Sequence, residues 1–272
     1  MNMQQDIAPD FDAIKTKQNA AWTSGDYAVV GVTLQKVGED LAEALDLTPG
    51  AKVLDVAAGN GNATLAFARR WHDVTSTDYV QHLLDKGAAR AKAEGLDVSF
   101  QLADAERLPF ADGMFDATVS TFGVMFAPNQ TAAAAEMMRV TRTGGQIGMA
   151  NWTPDSFIGR MFRVLGSFVT PPAGVKSPAL WGDEAWLNTS FSAAKAVSVT
   201  HRTFRLRYRA PEHFIGIFRE LYGPVHKTFL ALPADQQEAL AEAMKELIAE
   251  FNEADDGSVS IPSKYAEVEI IK

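Results

Sequence analysis

The chain has 272 residues, of which 47% are hydrophobic and 22% are charged, and these proportions are typical of a globular protein with a full core. Its formal net charge of −9 argues against non-specific nucleic-acid binding, which needs a basic surface, and the lack of cysteine excludes disulfides and thiolate metal sites. The segment Met1–Asp6 lacks the pattern of a signal peptide, and no apolar run approaches the roughly 18 residues of a membrane span. We therefore expect a cytoplasmic protein that does not insert into a membrane.

Two helices are predicted before the first strand. Residues 10–23 form the first, which Ser24-Gly25 interrupts, and residues 33–46 form the second, with apolar side chains at helical spacing. Trp22 and Tyr27 are the large aromatic residues at the end of the first helix. Two interpretations of this region are open: a surface helix docked on the core, or a lid whose aromatic residues face a ligand.

A strand, a glycine loop and a helix are predicted over residues 52–70. The apolar run Val53–Val56 predicts a buried strand, and helix-forming residues begin at Ala63. Between them, Gly59 and Gly61 allow positive φ angles and let a ligand approach the backbone closely. In nucleotide-binding α/β proteins the cofactor lies at such a turn, outside the carboxyl ends of the strands.

Carboxylates end three successive predicted strands. Asp55 closes the first strand, Asp78 closes the second, and Asp104 follows the third. Asp78 lies 19 positions after Gly59. A carboxylate at about this distance from the glycine loop is placed to accept hydrogen bonds from two ribose hydroxyls.

Two more strands complete the first half of the predicted sheet, over residues 115–121 and 145–150. The segment Phe122–Asn129 lies between them, and its aromatic and sulfur-bearing side chains suit an apolar ligand or a core. It is not the Asn/Asp-Pro-Pro-Tyr/Phe motif, and this argues against base-flipping chemistry on an exocyclic amine.

The last third of the chain is predicted to continue the sheet and to add helices. Residues 195–209 form a long strand whose apolar side chains change parity near Arg202, which predicts a β-bulge. Helices over residues 211–229 and 234–252 follow, and alternation around Val268 predicts the last strand. These helices, together with the N-terminal one, would cover a pocket.

An ordered set of motifs gives the chain a resemblance to a known family. The set consists of the loop Asp55–Gly61, Asp78, Asp104-Ala105, Leu108-Pro109-Phe110 and Arg139–Gly145. Over roughly residues 45 to 152 the chain resembles a class I S-adenosylmethionine-dependent methyltransferase. Within that class it is most similar to the small-molecule branch that includes the ubiquinone/menaquinone-biosynthesis (type 11) methyltransferases.

The resemblance implies the fold class and its division. The fold would be α/β, with a Rossmann-like, seven-stranded, mostly parallel sheet, an antiparallel last strand, helices on both faces and a helical lid. Residues 1–32 would form the lid, and residues 33–152 the cofactor-binding core. Residues 153–272 would supply substrate-cap helices and the last two strands.

The resemblance also implies how S-adenosyl-L-methionine would be held. Gly59 and Gly61 would pass under its methionyl part, and Asp55 would hold its amino group through water or the backbone. Asp78 would bind the ribose. Asp104 would accept from the adenine amino group, with the Ala105 amide on a ring nitrogen. The remaining predicted contacts are Tyr27, Tyr79, Thr121 and Phe122.

One residue departs from the family pattern. The family loop reads Asp-x-Gly-x-Gly-x-Gly, and Ala57 stands at the first glycine. Its methyl group would tighten the loop around the cofactor.

Methyl transfer from a sulfonium is strongly downhill, so the protein mainly aligns the reactants and excludes water. A general base is needed only for a weakly acidic hydroxyl, a protonated amine or a carbon acid. The candidates to contact the acceptor are His213, on the predicted roof helix, and Tyr265, just before the last strand. A lone histidine is more often structural. The acidic pairs Asp183-Glu184 and Asp255-Asp256 are typical of solvated turns, so we expect no metal.

The predicted function is methyl transfer from S-adenosyl-L-methionine to a small, apolar or aromatic acceptor by in-line displacement, with S-adenosyl-L-homocysteine as product. Two alternatives are open. An NAD(P)-dependent oxidoreductase would use the same glycine loop, although the Gly-x-Gly-x-x-Gly and Tyr-x-x-x-Lys patterns are absent. A non-catalytic module would bind the cofactor or its demethylated product as a regulator. The identity of the acceptor and the oligomeric state do not follow from the sequence.

Overall fold

The computed structural model describes residues 9–272, so the expectation for Met1–Asp6 and the start of the predicted lid lie outside the described residues. Within residues 9–272 the chain forms seven strands, eleven α-helices and three short 3₁₀ helices. The strands are β1 (Lys52–Val56), β2 (Asp73–Asp78), β3 (Ser99–Leu102), β4 (Phe115–Thr121), β5 (Thr141–Trp152), β6 (Ala196–Tyr208) and β7 (Val259–Ile271).

The helices surround this sheet. They are α1 (Phe11–Ser24), α2 (Tyr27–Gly31), α3 (Gln35–Leu45), α4 (Asn62–Ala68), α5 (Gln81–Glu94), α6 (Gln130–Val140), α7 (Phe157–Phe168), α8 (Glu184–Ser190), α9 (Pro211–Leu221), α10 (Gly223–Ala231) and α11 (Ala234–Phe251). The 3₁₀ helices are Val32–Leu34, Val124–Phe126 and Pro178–Gly182. Among the described residues, no helix combines the length and the apolar composition that crossing a bilayer requires.

The strands form one sheet in the order β3-β2-β1-β4-β5-β7-β6. The first five strands are parallel to one another, and β7 runs antiparallel to both β5 and β6. The predicted fold class is therefore confirmed. Val53–Val56 of β1 is fully buried, as expected for a central parallel strand that is covered on both faces. The strand order reverses between β1 and β4, and in open α/β sheets this is the position where ligands bind.

The predicted β-bulge in β6 is wrong. The register with β7 runs without a shift from the pair Ala196 and Ile271 to the pair Tyr208 and Val259. The two halves of β6 are instead covered on opposite faces. His201 lies 3.8 Å from Glu184 of α8, whereas the Tyr208 ring packs on α9. Because α8 covers one face of β6 in its first half and α9 covers the other face in its second half, the apolar side chains switch faces along the strand while its register stays regular.

The helix predicted over residues 211–229 is two helices. α9 ends at Leu221, and α10 begins at Gly223, with Tyr222 between them. Pro224 has no N–H to continue the hydrogen-bond ladder of α9, but it is well suited to the first turn of a new helix. The break places Tyr222 at the inner surface, where it is only 5% exposed.

Candidate functional site

A cleft lies where the carboxyl ends of the central strands meet. Its walls are the glycine loop after β1, the ends of β2 and β3, the segment after β4 and one face of α1. The structure brings nine of the eleven predicted cofactor residues together in this cleft. They are Tyr27, Ala57, Gly59, Asp78, Tyr79, Asp104, Ala105, Thr121 and Phe122.

The other two predicted residues, Asp55 and Gly61, lie beneath the cleft and do not line it. Asp55 Oδ2 accepts hydrogen bonds from the backbone N–H (2.8 Å) and the hydroxyl (2.6 Å) of Thr64, in the first turn of α4. Its Oδ1 is buried without a partner among residues 9–272. Burial raises the pKa of Asp55 to about 7, against the lowering effect of the Thr64 hydrogen bonds. Asp55 therefore fixes the start of α4 and shapes the cleft from below.

Asp78 joins the glycine loop to the end of β2. Its Oδ2 accepts from the Gly59 N–H and its Oδ1 from the Val80 N–H, both at 2.8 Å. Gly59 has a φ of +58°, which a glycine adopts without strain. Burial raises the pKa of Asp78 to about 6, although these backbone hydrogen bonds lower it. A buried carboxylate with remaining lone pairs is well suited to accept from ligand hydroxyls.

Two residues other than glycine hold left-handed backbone conformations in the cleft wall. Ala57 has a φ of +53° and Phe122 a φ of +56°. A Cβ on Gly123 would lie 2.0 Å from the Ala57 carbonyl oxygen, so only glycine allows these segments to meet. The Phe122 ring stacks on Trp152, with centroids 4.0 Å apart. Such strain persists only where the surrounding structure fixes it, and it is concentrated at functional sites.

Lys15 of α1 reaches the end of β3. Its ammonium lies 2.7 Å from Asp104 Oδ2, 3.0 Å from Glu106 and 3.2 Å from Asp12. Although burial alone would lower the pKa of Lys15, its hydrogen bonds to Asp104 and Glu106 raise it above the ordinary value. Asn19 adds a hydrogen bond of 2.7 Å to the Tyr79 carbonyl oxygen. Through these contacts α1 is tied across the cleft to the ends of β2 and β3.

Four aromatic rings form the wall between the N-terminal helices and the cap. Trp22 lies edge-on to Tyr27, Phe126 and Tyr222, with centroid distances of 5.4, 5.1 and 5.6 Å. The rings of Tyr27 and Tyr222 are 6.1 Å apart. These pairs have the edge-to-face geometry that aromatic rings prefer.

A second cavity adjoins the cleft and shares Tyr27, Phe122 and Phe126 with it. The rest of its lining comes from the residues around α2, the end of β5, α7, β6 and α9. These residues are Val30, Thr33, Leu34, Trp152, Ile158, Leu206, Phe218 and Tyr222. The cavity is therefore almost entirely apolar.

The two predicted catalytic residues are not at either cavity. His213 is placed one residue before Phe214, which is fully buried in α9, and its Nδ1 accepts from the Arg209 N–H at 3.2 Å. Because α9 presents Phe214 and Phe218 to the core, His213 lies outside the cavity wall. His213 therefore lines neither cavity, and its role in contacting the acceptor stays a prediction.

Tyr265 also lines neither cavity. It is 2% exposed, and its ring packs against Phe122 (5.7 Å) and Trp152 (6.3 Å) from behind. Burial raises its pKa to about 12, and the charges that act on it come from Asp40, Glu267 and Arg202, none of which line the cavities. Tyr265 supports the wall and does not form it.

Sequence reasoning missed two polar residues of α1, Lys15 and Gln18. Together with Trp22 they lie at positions i, i+3 and i+7, which form one face of a helix, and all three line the cleft. Under the interpretation in which Trp22 faces a ligand, this spacing is the signal that could have identified Lys15 and Gln18. Gln18 Oε1 is buried without a hydrogen-bond partner among the described residues.

Comparison with known proteins agrees with this geometry. The profile of a family described as methyltransferase domain matches residues 53–145. The uncharacterized protein Rv1405c of Mycobacterium tuberculosis is 35% identical over 245 residues, which cover 89% of each chain. A demethylmenaquinone methyltransferase of Beutenbergia cavernae is 38% identical over 136 residues, which cover 48% of this chain and 54% of that protein.

Among solved structures, the YcgJ protein of Bacillus subtilis has a TM-score of 0.60 at 20% identity, over 87% of this chain and 98% of that one. The sheet order and the cleft at its switch point define a Rossmann-like methyltransferase fold. The chain belongs to the class I S-adenosylmethionine-dependent methyltransferases.

The strain at Ala57 predicts an unusual response to glycine. A left-handed alanine costs about 1 kcal/mol or more, whereas glycine adopts this conformation freely. We expect Ala57→Gly to raise the free energy of unfolding by about 0.5 kcal/mol, after the larger entropy of the unfolded glycine chain is subtracted. Denaturant unfolding measures this change. The control is Ala58→Gly, at a position with negative φ, which should lose about 0.5–1 kcal/mol. An equal decrease in the free energy of unfolding of both variants would contradict backbone strain at residue 57.

The raised pKa of Asp55 predicts a pH-dependent stability. The native state binds a proton here as the pH falls through about 7, whereas an unfolded aspartate does so only near pH 4. Lowering the pH from 8 to 5 therefore stabilises the native state through this group, and Asp55→Asn removes that gain. We compare the free energy of unfolding of Asp55→Asn with that of wild type at each pH. We expect this difference, variant minus wild type, to be about 2 kcal/mol larger at pH 8 than at pH 5, because only wild type gains stability at pH 5.

The matched control is Asp116→Asn. The pKa of Asp116 is lowered by its hydrogen bonds to Arg142 and to the Lys52 N–H, so its contribution is constant between pH 5 and 8. Thermal unfolding at the two pH values would reveal the difference. If Asp55→Asn and wild type differed in the free energy of unfolding by the same amount at both pH values, the buried Asp55 carboxyl would not titrate in this range.

Proposed function

We propose that the cleft binds S-adenosyl-L-methionine and that the protein transfers its methyl group to a small, apolar acceptor in the adjoining cavity. The observation that carries this proposal is the sharing of one wall by two unlike cavities. The cleft presents the carboxylates Asp78 and Asp104, whereas the adjoining cavity presents aromatic and aliphatic side chains. Tyr27, Phe122 and Phe126 belong to both, so a ligand in one cavity would lie next to a ligand in the other.

The residues of the cleft fit this cofactor. Asp78 would accept from the ribose hydroxyls, and Asp104 from the adenine amino group. Gly59 lies under the Tyr27 ring, since a Cβ there would be 3.5 Å from Tyr27 Cε1, and it leaves room for a ligand along the loop. The unpaired Gln18 Oε1 is an acceptor for a ligand N–H, such as that of an ammonium group.

Bound S-adenosyl-L-methionine would supply a methyl group activated by a sulfonium. The task of this chain is then to position the acceptor and to exclude water, and alignment of this kind can account for roughly 7–11 kcal/mol of a barrier. The aromatic wall of Trp22, Tyr27, Phe126 and Tyr222 would exclude water. We assign the described part of the predicted lid, residues 9–32, to a lid, residues 33–152 to the core and residues 153–272 to the cap that completes the acceptor cavity.

A non-catalytic module that binds the cofactor as a regulator is the second candidate, and the acceptor cavity argues against it. A regulator needs no apolar space next to the cofactor, whereas a methyltransferase does. The nicotinamide alternative has no support from the family to which the chain belongs. Tight product binding without turnover on any acceptor would favour the regulatory module.

The first test is titration calorimetry with S-adenosyl-L-methionine. We expect Asp78→Ala to weaken binding about 10- to 100-fold, because a hydrogen bond to a charged group contributes about 1.5–3 kcal/mol. Asp97→Ala is the control, since Asp97 is an exposed carboxylate outside the cleft. No binding by the wild type at millimolar ligand would overturn the proposed function, whereas equal affinity in both variants would overturn only the role of Asp78.

The second test concerns the lid. If α1 closes the cleft, removing the Lys15 ammonium should weaken cofactor binding, because α1 then loses its ion pairs to Asp104 and Glu106. We expect Lys15→Met to raise the dissociation constant about fivefold, as for an ion-pair contribution of about 1 kcal/mol. Lys17→Met removes the same charge from an exposed position of the same helix and should have no effect. Tighter binding by Lys15→Met would mean that Lys15 competes with the adenine for Asp104.

A further inference from the structure

The lining of the acceptor cavity contains no group that could remove a proton. Of residues 9–272, those that line it include no aspartate, glutamate, histidine or lysine. Its polar side-chain groups are the hydroxyls of Tyr27, Tyr222 and Thr33 and the indole N–H of Trp152. The Thr33 hydroxyl already donates to the Val30 carbonyl oxygen at 2.7 Å. The cavity therefore offers hydrogen-bond donors but no general base.

The two tyrosine hydroxyls are available to a ligand. Among residues 9–272, neither the Tyr27 hydroxyl nor the Tyr222 hydroxyl has a hydrogen-bond partner. Neither oxygen is completely enclosed by protein atoms. Burial raises the pKa of Tyr27, and burial together with neighbouring Tyr27 raises that of Tyr222. Both side chains therefore stay protonated at neutral pH, as donors. Tyrosine hydroxyls in a water-excluded site are effective partners for an oxyanion.

The chemistry of methyl transfer selects the form of the acceptor. A neutral hydroxyl is a poor nucleophile and must lose its proton, and no group in this cavity can take it. Burying an unpaired oxyanion among Phe122, Phe126 and Phe218 would be costly, but hydrogen bonds offset much of that cost. An acceptor oxygen that is already ionised in water needs no general base. Hydrogen bonds from the two tyrosines would offset the cost of burying its charge.

We propose that the acceptor is a small aromatic compound with an acidic hydroxyl, which binds as the oxyanion and is held by hydrogen bonds from Tyr27 and Tyr222. This inference rests on the proposed function. The proton of the hydroxyl goes to solvent before binding. In the transfer the acceptor oxygen forms a bond to the methyl carbon, the bond from that carbon to sulfur breaks, and its electron pair stays on sulfur. Tyr27 and Tyr222 act as positioning donors, and their hydroxyl protons stay in place.

The test uses 4-nitrophenol as the probe, because its phenol and phenolate forms absorb at different wavelengths. The protein is saturated with S-adenosyl-L-homocysteine, which carries no methyl group to transfer, and the probe is titrated by absorbance between pH 5 and 9. We expect the bound probe to ionise at a pH at least one unit lower than in buffer, a tenfold change in its ionisation constant. The apolar wall alone would shift the ionisation the other way, since burial disfavours the charged form.

Three variants assign the effect. Tyr222→Phe, in a residue that lines only the acceptor cavity, should abolish most of the shift, and Tyr27→Phe should reduce it. Tyr208→Phe is the control, since Tyr208 packs on Phe218 in the same aromatic cluster but lines neither cavity. Calorimetry with S-adenosyl-L-homocysteine checks that each variant still binds the demethylated cofactor.

The outcomes separate this inference from the proposed function. A probe bound as the neutral phenol, a shift that survives in Tyr222→Phe, or no probe binding at millimolar concentration would overturn the inference. Failure of the wild type to bind S-adenosyl-L-homocysteine would overturn the proposed function itself. A shift that is present in wild type, lost in Tyr222→Phe and kept in Tyr208→Phe supports the assignment.

Discussion

The hydrogen bond from the Gly59 N–H to Asp78 is the interaction on which the rest of the site depends. It ties the loop after β1 to the end of β2, so that two neighbouring strand ends form one rigid surface. Gly59 holds a positive φ at this turn, and Asp78 needs a hydrogen-bond donor because it is buried. This pairing shapes the cleft, and the Tyr27 ring lies next to the same loop, whereas Asp55 fixes the start of α4 from below.

The site contains buried charged groups and strained backbone conformations, which are energetically unfavourable in most of a folded protein. Asp55 and Asp78 are buried carboxyls with raised pKa values, and Ala57 and Phe122 hold strained backbone conformations. Each lies within or directly beneath the same cleft. Proteins tolerate such local conflicts mainly where function requires them, and the concentration of four in one place marks the cleft as strongly as its shape does.

The sequence predicted what depends on local chemistry. Strand ends, the glycine loop and the order of Asp55, Asp78 and Asp104 follow from short patterns, and parallel pairing then brings the three strand ends to one edge. The contact between Lys15 and Asp104 joins residues 89 positions apart and depends on how α1 docks. The orientation of His213 depends on which face of α9 is buried, and the apolar parity of β6 on which helix covers each half. These features are set by tertiary packing, which no local pattern encodes.

The contact between the N-terminal region and the cap has a mechanical consequence. A Cβ on Gly25 would lie 2.6 Å from the Leu221 carbonyl oxygen, and a Cβ on Gly223 would lie 2.9 Å from Trp22 Cε3. At Gly25 the two backbones meet with no side chain between them, and at Gly223 the Trp22 ring lies directly on the backbone. An outward movement of one side would therefore have to break these contacts or carry the other side with it. In the proposed cycle, exit of the spent nucleoside and entry of the next acceptor would then share a single gate, and the slower passage would limit turnover for both.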